Sequence, residues 1–129
     1  PGIIEGLRAK ANGAGLLLLA NMSSQGNLAT GEYTEQALRW AKEYDDFVCG
    51  FIGMKKLDAS MLTFTPGVQL EAAGDELGQQ YRTPETVIAA GTDVPIVGRG
   101  IYKAQDPRAA AELYRKRCWE AYKTKAESS

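Results

Sequence analysis

Residues 94–100, Val-Pro-Ile-Val-Gly-Arg-Gly, read as a buried strand that ends in a glycine turn carrying one arginine. Gly98 and Gly100 lack a Cβ, so backbone N–H groups in this turn can approach an anion closely. Arg99 adds a forked, permanently charged donor that matches phosphate oxygens. Together with Gln79-Gln80-Tyr81 upstream, the stretch points to a phosphate held at the carboxyl end of the strand. It is neither a P-loop, which needs a lysine-bearing glycine loop, nor a dinucleotide fingerprint, which needs three glycines at fixed offsets before a helix. A Gly-Arg-Gly triplet alone also suits an ordinary tight turn with a solvated arginine.

Working outward, three more apolar runs of strand length precede it. Gly15 to Met22 is bounded by Gly13 and the polar Ser23-Ser24-Gln25-Gly26; Phe47 to Gly53 and Leu62 to Thr65 follow, the last ended by Pro66-Gly67. Helical signals fall between them. From Glu32 to Tyr44, the residues Tyr33, Ala37, Trp40, Ala41 and Tyr44 recur at helical spacing, with acids in the first turn and Lys42 near the end, each sign suiting the helix dipole. Thr83-Pro84-Glu85 opens a second helix with a capping oxygen, a proline at the first position and an acid, and Gly91 ends it. Asp106-Pro107 caps the last helix, whose predicted apolar face is Ala110, Leu113, Tyr114, Cys118, Ala121 and Tyr122. A polar tail, 123–129, is expected to fray. Pro95 donates no ladder bond, so it belongs at the start of its strand.

Strands at about 15–22, 47–53, 62–65 and 94–98, alternating with helices and reading as continuous apolar runs, are the pattern of an α/β protein with a parallel sheet. A helix over Ile3 to Lys10 precedes the first strand, so the chain starts in mid-pattern. Four such units are half of an eight-stranded barrel and also enough for a small doubly wound sheet; periodicity does not separate them.

Composition narrows the chemistry. At 129 residues with 44% apolar and 24% charged side chains the chain fits one globular domain. A net charge of −1 with no basic stripe argues against nucleic acid as a partner. The apolar run Ala14 to Ala20 is far short of a membrane span, and cytosolic residence is expected by default. Cys49 and Cys118 lack metal-type spacing and fall on apolar segments, so both are expected as buried free thiols. The chain has no histidine, which removes the Ser-His-Asp triad, a Cys-His pair and the usual histidine-containing zinc sites.

Pro66 to Arg82 is too long for an ordinary strand-to-helix turn, and such segments are usually functional lids or disordered, the plain alternative being a surface loop in which Gln79 and Gln80 merely hydrate. Its place after the third strand, with Gly98-Arg99-Gly100 after the fourth, matches where barrel enzymes grip phosphate. Ser23 and Ser24 lie on the same carboxyl face, where a hydroxyl can donate and accept against a planar heterocycle or simply face water. Lys55 and Lys56 also follow a strand end. Trp40 and Trp119 are expected in the core.

As a set, GLLLLANMSSQGNLATGEY (15–33), FVCGFI (47–52), TPG (65–67), LGQQYR (77–82), VGRG (97–100) and YRKRCWEAY (114–122) resemble the orotidine 5′-monophosphate decarboxylase family, closest to its eukaryotic type, often fused behind orotate phosphoribosyltransferase. The resemblance implies a (β/α)8 TIM barrel, a homodimer, and conversion of orotidylate to uridylate and carbon dioxide without metal or organic cofactor. It implies that Ser23 reads the pyrimidine edge and Pro66 lines the ring pocket. By the same resemblance Gln79, Tyr81, Gly98 and Arg99 grip the phosphate, with the loop holding Gln79 and Tyr81 as the closing lid.

The family's catalytic Asp-x-Lys-x-x-Asp array is missing: none of the eight lysines sits in such a pattern. The chain resembles only the second half of the barrel, so 1–129 is expected to be the C-terminal half of one domain that needs the N-terminal half as a partner. Asn21 stands where the family usually shows glutamate. Two rival readings share the phosphate features: a sugar-phosphate isomerase or epimerase, and a non-catalytic nucleotide-binding module complete in four strands.

Overall fold

A computed structural model describes residues 2–21, 31–71, 73–74 and 80–128. In chain order the elements are α1 (Gly2–Ala9), β1 (Leu16–Leu19), α2 (Glu32–Glu43), β2 (Val48–Ile52), β3 (Leu62–Thr65), β4 (Ala73–Gly74), β5 (Gln80–Tyr81), α3 (Pro84–Ala89), β6 (Val94–Pro95), α4 (Arg99–Tyr102) and α5 (Pro107–Glu127). The residues expected as a frayed tail up to Glu127 are helical and close α5.

Strands β1, β2, β3 and β6 form one parallel sheet in that order, each paired with the next in the series. The short fourth strand is narrower than the expected 94–98, since regular pairing covers only Val94 and Pro95. The Ile96 N–H still donates to the Thr65 carbonyl at 2.7 Å, so contact with β3 continues past the proline. Within the long segment after β3, β4 and β5 form an antiparallel pair that periodicity did not reveal, with Ala73 opposite Tyr81. Two-residue strands carry no readable alternation.

Local capping chemistry acts as read from the sequence. The Thr83 hydroxyl accepts from the Thr86 N–H at 3.2 Å and the Asp106 carboxylate from the Ala109 N–H at 3.1 Å, each followed by proline at the first helical position. Gly91 ends α3 with a φ of 108°, the left-handed region that glycine enters without Cβ strain.

Two apolar clusters hold the layers together. One packs Ala37, Ala41 and Tyr44 of α2 and its C-cap against Val48 and Phe51 of β2, with Ile4 of α1 beneath. The other joins Val68, Val87, Ile88 and Tyr114, and thus α3 and α5 with the segment after β3. Gly50 lets β2 and β3 close up, because a Cβ there would lie 2.3 Å from the Leu62 carbonyl oxygen. Gly50→Ala should therefore destabilise the assembled protein by about 1–3 kcal/mol, the usual cost of overpacking, readable as a lowered urea midpoint. An unchanged midpoint would show that the strands can part at no cost.

Among the described residues, helices cover one side of the sheet only. Leu19, Leu62, Val94 and Ile96 stay more than a third exposed, as do Leu113, Trp119 and Tyr122 of α5. Three sequence expectations change for this reason. Cys49 is an exposed free thiol rather than a buried one, and Cys118 is only half-buried. Trp119 is 54% exposed and stacks on Tyr122 with ring centroids 5.5 Å apart. The apolar face expected along α5 buries Tyr114 and leaves much of the rest open. Trp40 does pack against the first cluster. Among the described residues, no helix is long and apolar enough to cross a membrane.

Candidate functional site

The carboxyl ends of β3 and β6 lie side by side, and the segments that leave them build the candidate site. After β3 the chain turns at Pro66-Gly67, where Gly67 has a φ of 72°. The two roots of the long loop are then tied directly: the Arg82 N–H donates to the Gly67 carbonyl at 2.9 Å, and the Gln69 N–H to the Arg82 carbonyl at 3.0 Å. Tyr81 arrives on β5 just before this tie. After β6, Gly98 is the N-cap of α4 and Arg99 its first residue. In the first turn of α4 the Ile101 and Tyr102 N–H groups both donate to the Gly98 carbonyl, at 2.9 and 3.1 Å.

Pro66, Gly67, Tyr81, Gly98, Arg99 and Tyr102 line a cleft of about 260 Å³ at this point, and none of the described residues around it is acidic. The Arg99 guanidinium carbon lies 5.4 Å from the centroid of the Tyr81 ring, a cation–π distance that holds the fork over the aromatic face. The volume falls below the about 300–1,000 Å³ of pockets that enclose drug-sized ligands.

Four of the six site residues named from the sequence thus share one cleft: Pro66, Tyr81, Gly98 and Arg99. Ser23 and Gln79 lie outside the described residues, as does Ser24. The two turn glycines have different reasons. A Cβ on Gly98 would meet nothing closer than Tyr102 at 3.7 Å, whereas one on Gly100 would sit 2.2 Å from the Tyr114 hydroxyl oxygen. Gly100 therefore admits a tyrosine of α5, and the expectation that it opens the turn to an anion is revised. Lys55 is exposed. Lys56 reaches the other end of the sheet, where its ammonium donates to Asp93 at 2.6 Å and to the Met61 carbonyl at 2.8 Å.

Several residues to which sequence reasoning gave no site role make long-range contacts around the strand ends. The Arg82 guanidinium donates to the Met54 carbonyl just beyond β2 while its Nε is buried without a hydrogen bond, and this burial lowers its pKa. Asn21 ties the end of β1 to the same turn, its side-chain oxygen accepting from the Met54 N–H at 2.5 Å. That gives the departure at Asn21 a structural role. Tyr114 is 4% exposed, and its hydroxyl accepts from the Leu70 N–H at 3.1 Å. Burial pushes its phenol pKa up, so it stays neutral at physiological pH. Each of these contacts joins residues at least 28 positions apart, and no local spacing signals them.

A parallel sheet of βα units whose strand ends carry a glycine-turned, arginine-bearing cleft defines an α/β protein of the barrel type. Comparison with known proteins makes this specific. The sequence model of the "Orotidine 5'-phosphate decarboxylase / HUMPS family" matches residues 1–114, and the chain belongs to that family. It is 55% identical over 128 residues to orotidine 5'-phosphate decarboxylase of Aureobasidium pullulans, covering 95% of this chain and 47% of that protein. Against the Schizosaccharomyces pombe enzyme of the same name the identity is 50%, over 94% of this chain and 48% of that one. The chain spans about half the length of these relatives. In fold it matches the crystal structure of orotidine 5'-monophosphate decarboxylase from Sulfolobus solfataricus with a TM-score of 0.64 at 24% identity, over 92% of this chain and 54% of that one. The architecture is half of a (β/α)8 barrel.

Proposed function

We propose that this chain is the nucleotide-binding, C-terminal half of an orotidine 5′-monophosphate decarboxylase, with Arg99 and Tyr81 gripping the 5′-phosphate of orotidylate. The observation that carries the reading is the cleft without described acidic residues, in which Arg99, Tyr81, Gly98 and Pro66 meet. Ser23 and Gln79 complete the ligand set in this reading, against the pyrimidine edge and the phosphate. Loss of carbon dioxide from the pyrimidine leaves a carbanion-like centre that needs positive charge and a proton. The lysine array that the family uses for this is not in the chain.

The contribution of this half is binding energy. Gripping a dianion remote from the reacting carbon can drive closure of the loop between Pro66 and Arg82 and organise the reacting end. The cleft volume fits this division, since the ring end of the ligand needs further walls. The N-terminal half of the barrel supplies those walls and the catalytic array, and covers the exposed strands. The assembled barrel pairs as a homodimer and works in the cytosol. Neither a sugar-phosphate isomerase nor a module complete in four strands has a supporting observation, and the uncovered sheet face speaks against the latter.

The test is turnover of carboxyl-labelled orotidylate by the assembled protein, meaning this chain together with the remaining half-barrel. Release of labelled carbon dioxide with formation of uridylate is expected. Sugar-phosphate isomerisation without decarboxylation would replace the reading.

A further inference from the structure

The phosphate cleft has two walls from distant parts of the sequence, the segment after β3 and the start of α4, and α5 touches both. Tyr114 fills the space that Gly100 leaves open and accepts a hydrogen bond from the Leu70 N–H. One turn further along α5, the Arg117 guanidinium donates to the Leu70 carbonyl at 3.0 Å. Leu70 thus has both of its backbone groups held by α5. Arg117 also forms an ion pair with Glu85 in the first turn of α3, the helix that begins where the long loop returns.

We propose that Tyr114 and Arg117 are positioning residues, a clasp on α5 that fixes the outgoing root of the loop, its returning helix and the Arg99-bearing turn in the spacing a phosphate requires. The inference rests on the phosphate reading above and deepens it. Neither side chain contacts the ligand in this arrangement; each acts through Leu70, Gly100 or Glu85. Spacing supports the pairing, because residues three apart on a helix lie on one face. Chemistry supports it too: backbone N–H and C=O groups that packing withdraws from water need partners, and α5 provides both for half-buried Leu70 at the point where the loop begins.

Tyr114→Phe keeps the ring, whose Cζ and Cε2 also face Gly100, and removes the hydroxyl that accepts from Leu70. Arg117→Lys keeps a charge opposite Glu85 and loses the fork that reaches two partners. Binding of uridine 5′-monophosphate and of uridine to the assembled protein is measured by calorimetry, with thermal unfolding alongside and Arg99→Ala as the control. In either clasp variant uridylate binding should weaken about tenfold, the scale of one buried donor or acceptor left unpaired, while uridine changes less than about twofold. A merely structural role would shift the unfolding temperature and leave the ratio of the two affinities at its wild-type value, which would overturn the clasp. Should Arg99→Ala lose phosphate discrimination while both clasp variants keep it, the clasp fails and the phosphate site stands. Should the wild type and Arg99→Ala fail alike to discriminate, the phosphate reading falls and takes the clasp with it.

Discussion

Arg99→Ala is expected to weaken binding of phosphate-bearing ligands to the assembled protein by about 2–5 kcal/mol while leaving the free nucleoside nearly unaffected. That range equals a loss of about thirtyfold to several thousandfold in affinity. The magnitude follows from what alanine removes. Arg99 is half-buried, stands over the Tyr81 ring and lines a cleft in which no described residue is acidic. A phosphate there would lose its forked partner and gain no replacement charge from the described lining. Arg99→Lys should fall between the two, since an ammonium keeps the charge and loses the planar two-point geometry. In the proposed reading turnover should drop along with affinity, because energy from the remote dianion would be used to close the loop and organise the reacting end. Calorimetry with uridylate and uridine makes the measurement. An equal loss for both ligands would remove Arg99 from the phosphate site.

The second large effect concerns the chain by itself. Expressed alone, it should show no decarboxylation above the uncatalysed rate and should self-associate; mixed with the remaining half-barrel, it should recover turnover. Two physical features require this. The outer edges of β1 and β6 have no partner strand among the described residues, and unpaired edges are templates for association. Leu19, Leu62, Val94 and Ile96 of the strands are exposed, as are Trp119 and Tyr122, and exposed apolar surface of this kind calls for a partner. A cleft of about 1010 Å³ lies along this region, lined by Leu62, Val94, Pro95, Trp119 and Tyr122 among others. Covering it should bring the missing lysine array. Sedimentation gives the assembly state and labelled carbon dioxide the activity. A monodisperse, active monomer of the single chain would refute the half-barrel reading.

Much of the fold was legible because its signals are local. Apolar runs of strand length gave β1, β2 and β3, and the Thr83-Pro84 and Asp106-Pro107 caps gave the starts of α3 and α5 to the residue. The fourth strand, β6, was legible in place but shorter than its apolar run. Four residues in α4, and two each in β4 and β5, are too few for a period to show. Exposure was misread at Cys49 and Trp119 for another reason. An apolar pattern states that a face will be covered, but not whether the cover belongs to the same half of the barrel.

The candidate site divides in the same way. From residue chemistry alone the sequence determined that an arginine in a glycine turn follows one strand, that a long polar loop follows another, and that no histidine chemistry is present. Four named residues, Pro66, Tyr81, Gly98 and Arg99, then meet in one cleft. Only the tertiary structure decided why Gly100 is a glycine, what Arg82 and Asn21 hold, and how Tyr114 and Arg117 reach across 44 and 47 positions to Leu70. Side-chain types and local spacing are written in the order of the chain. Hydrogen bonds and steric limits between distant segments exist only once packing brings those segments within about 3 Å of each other.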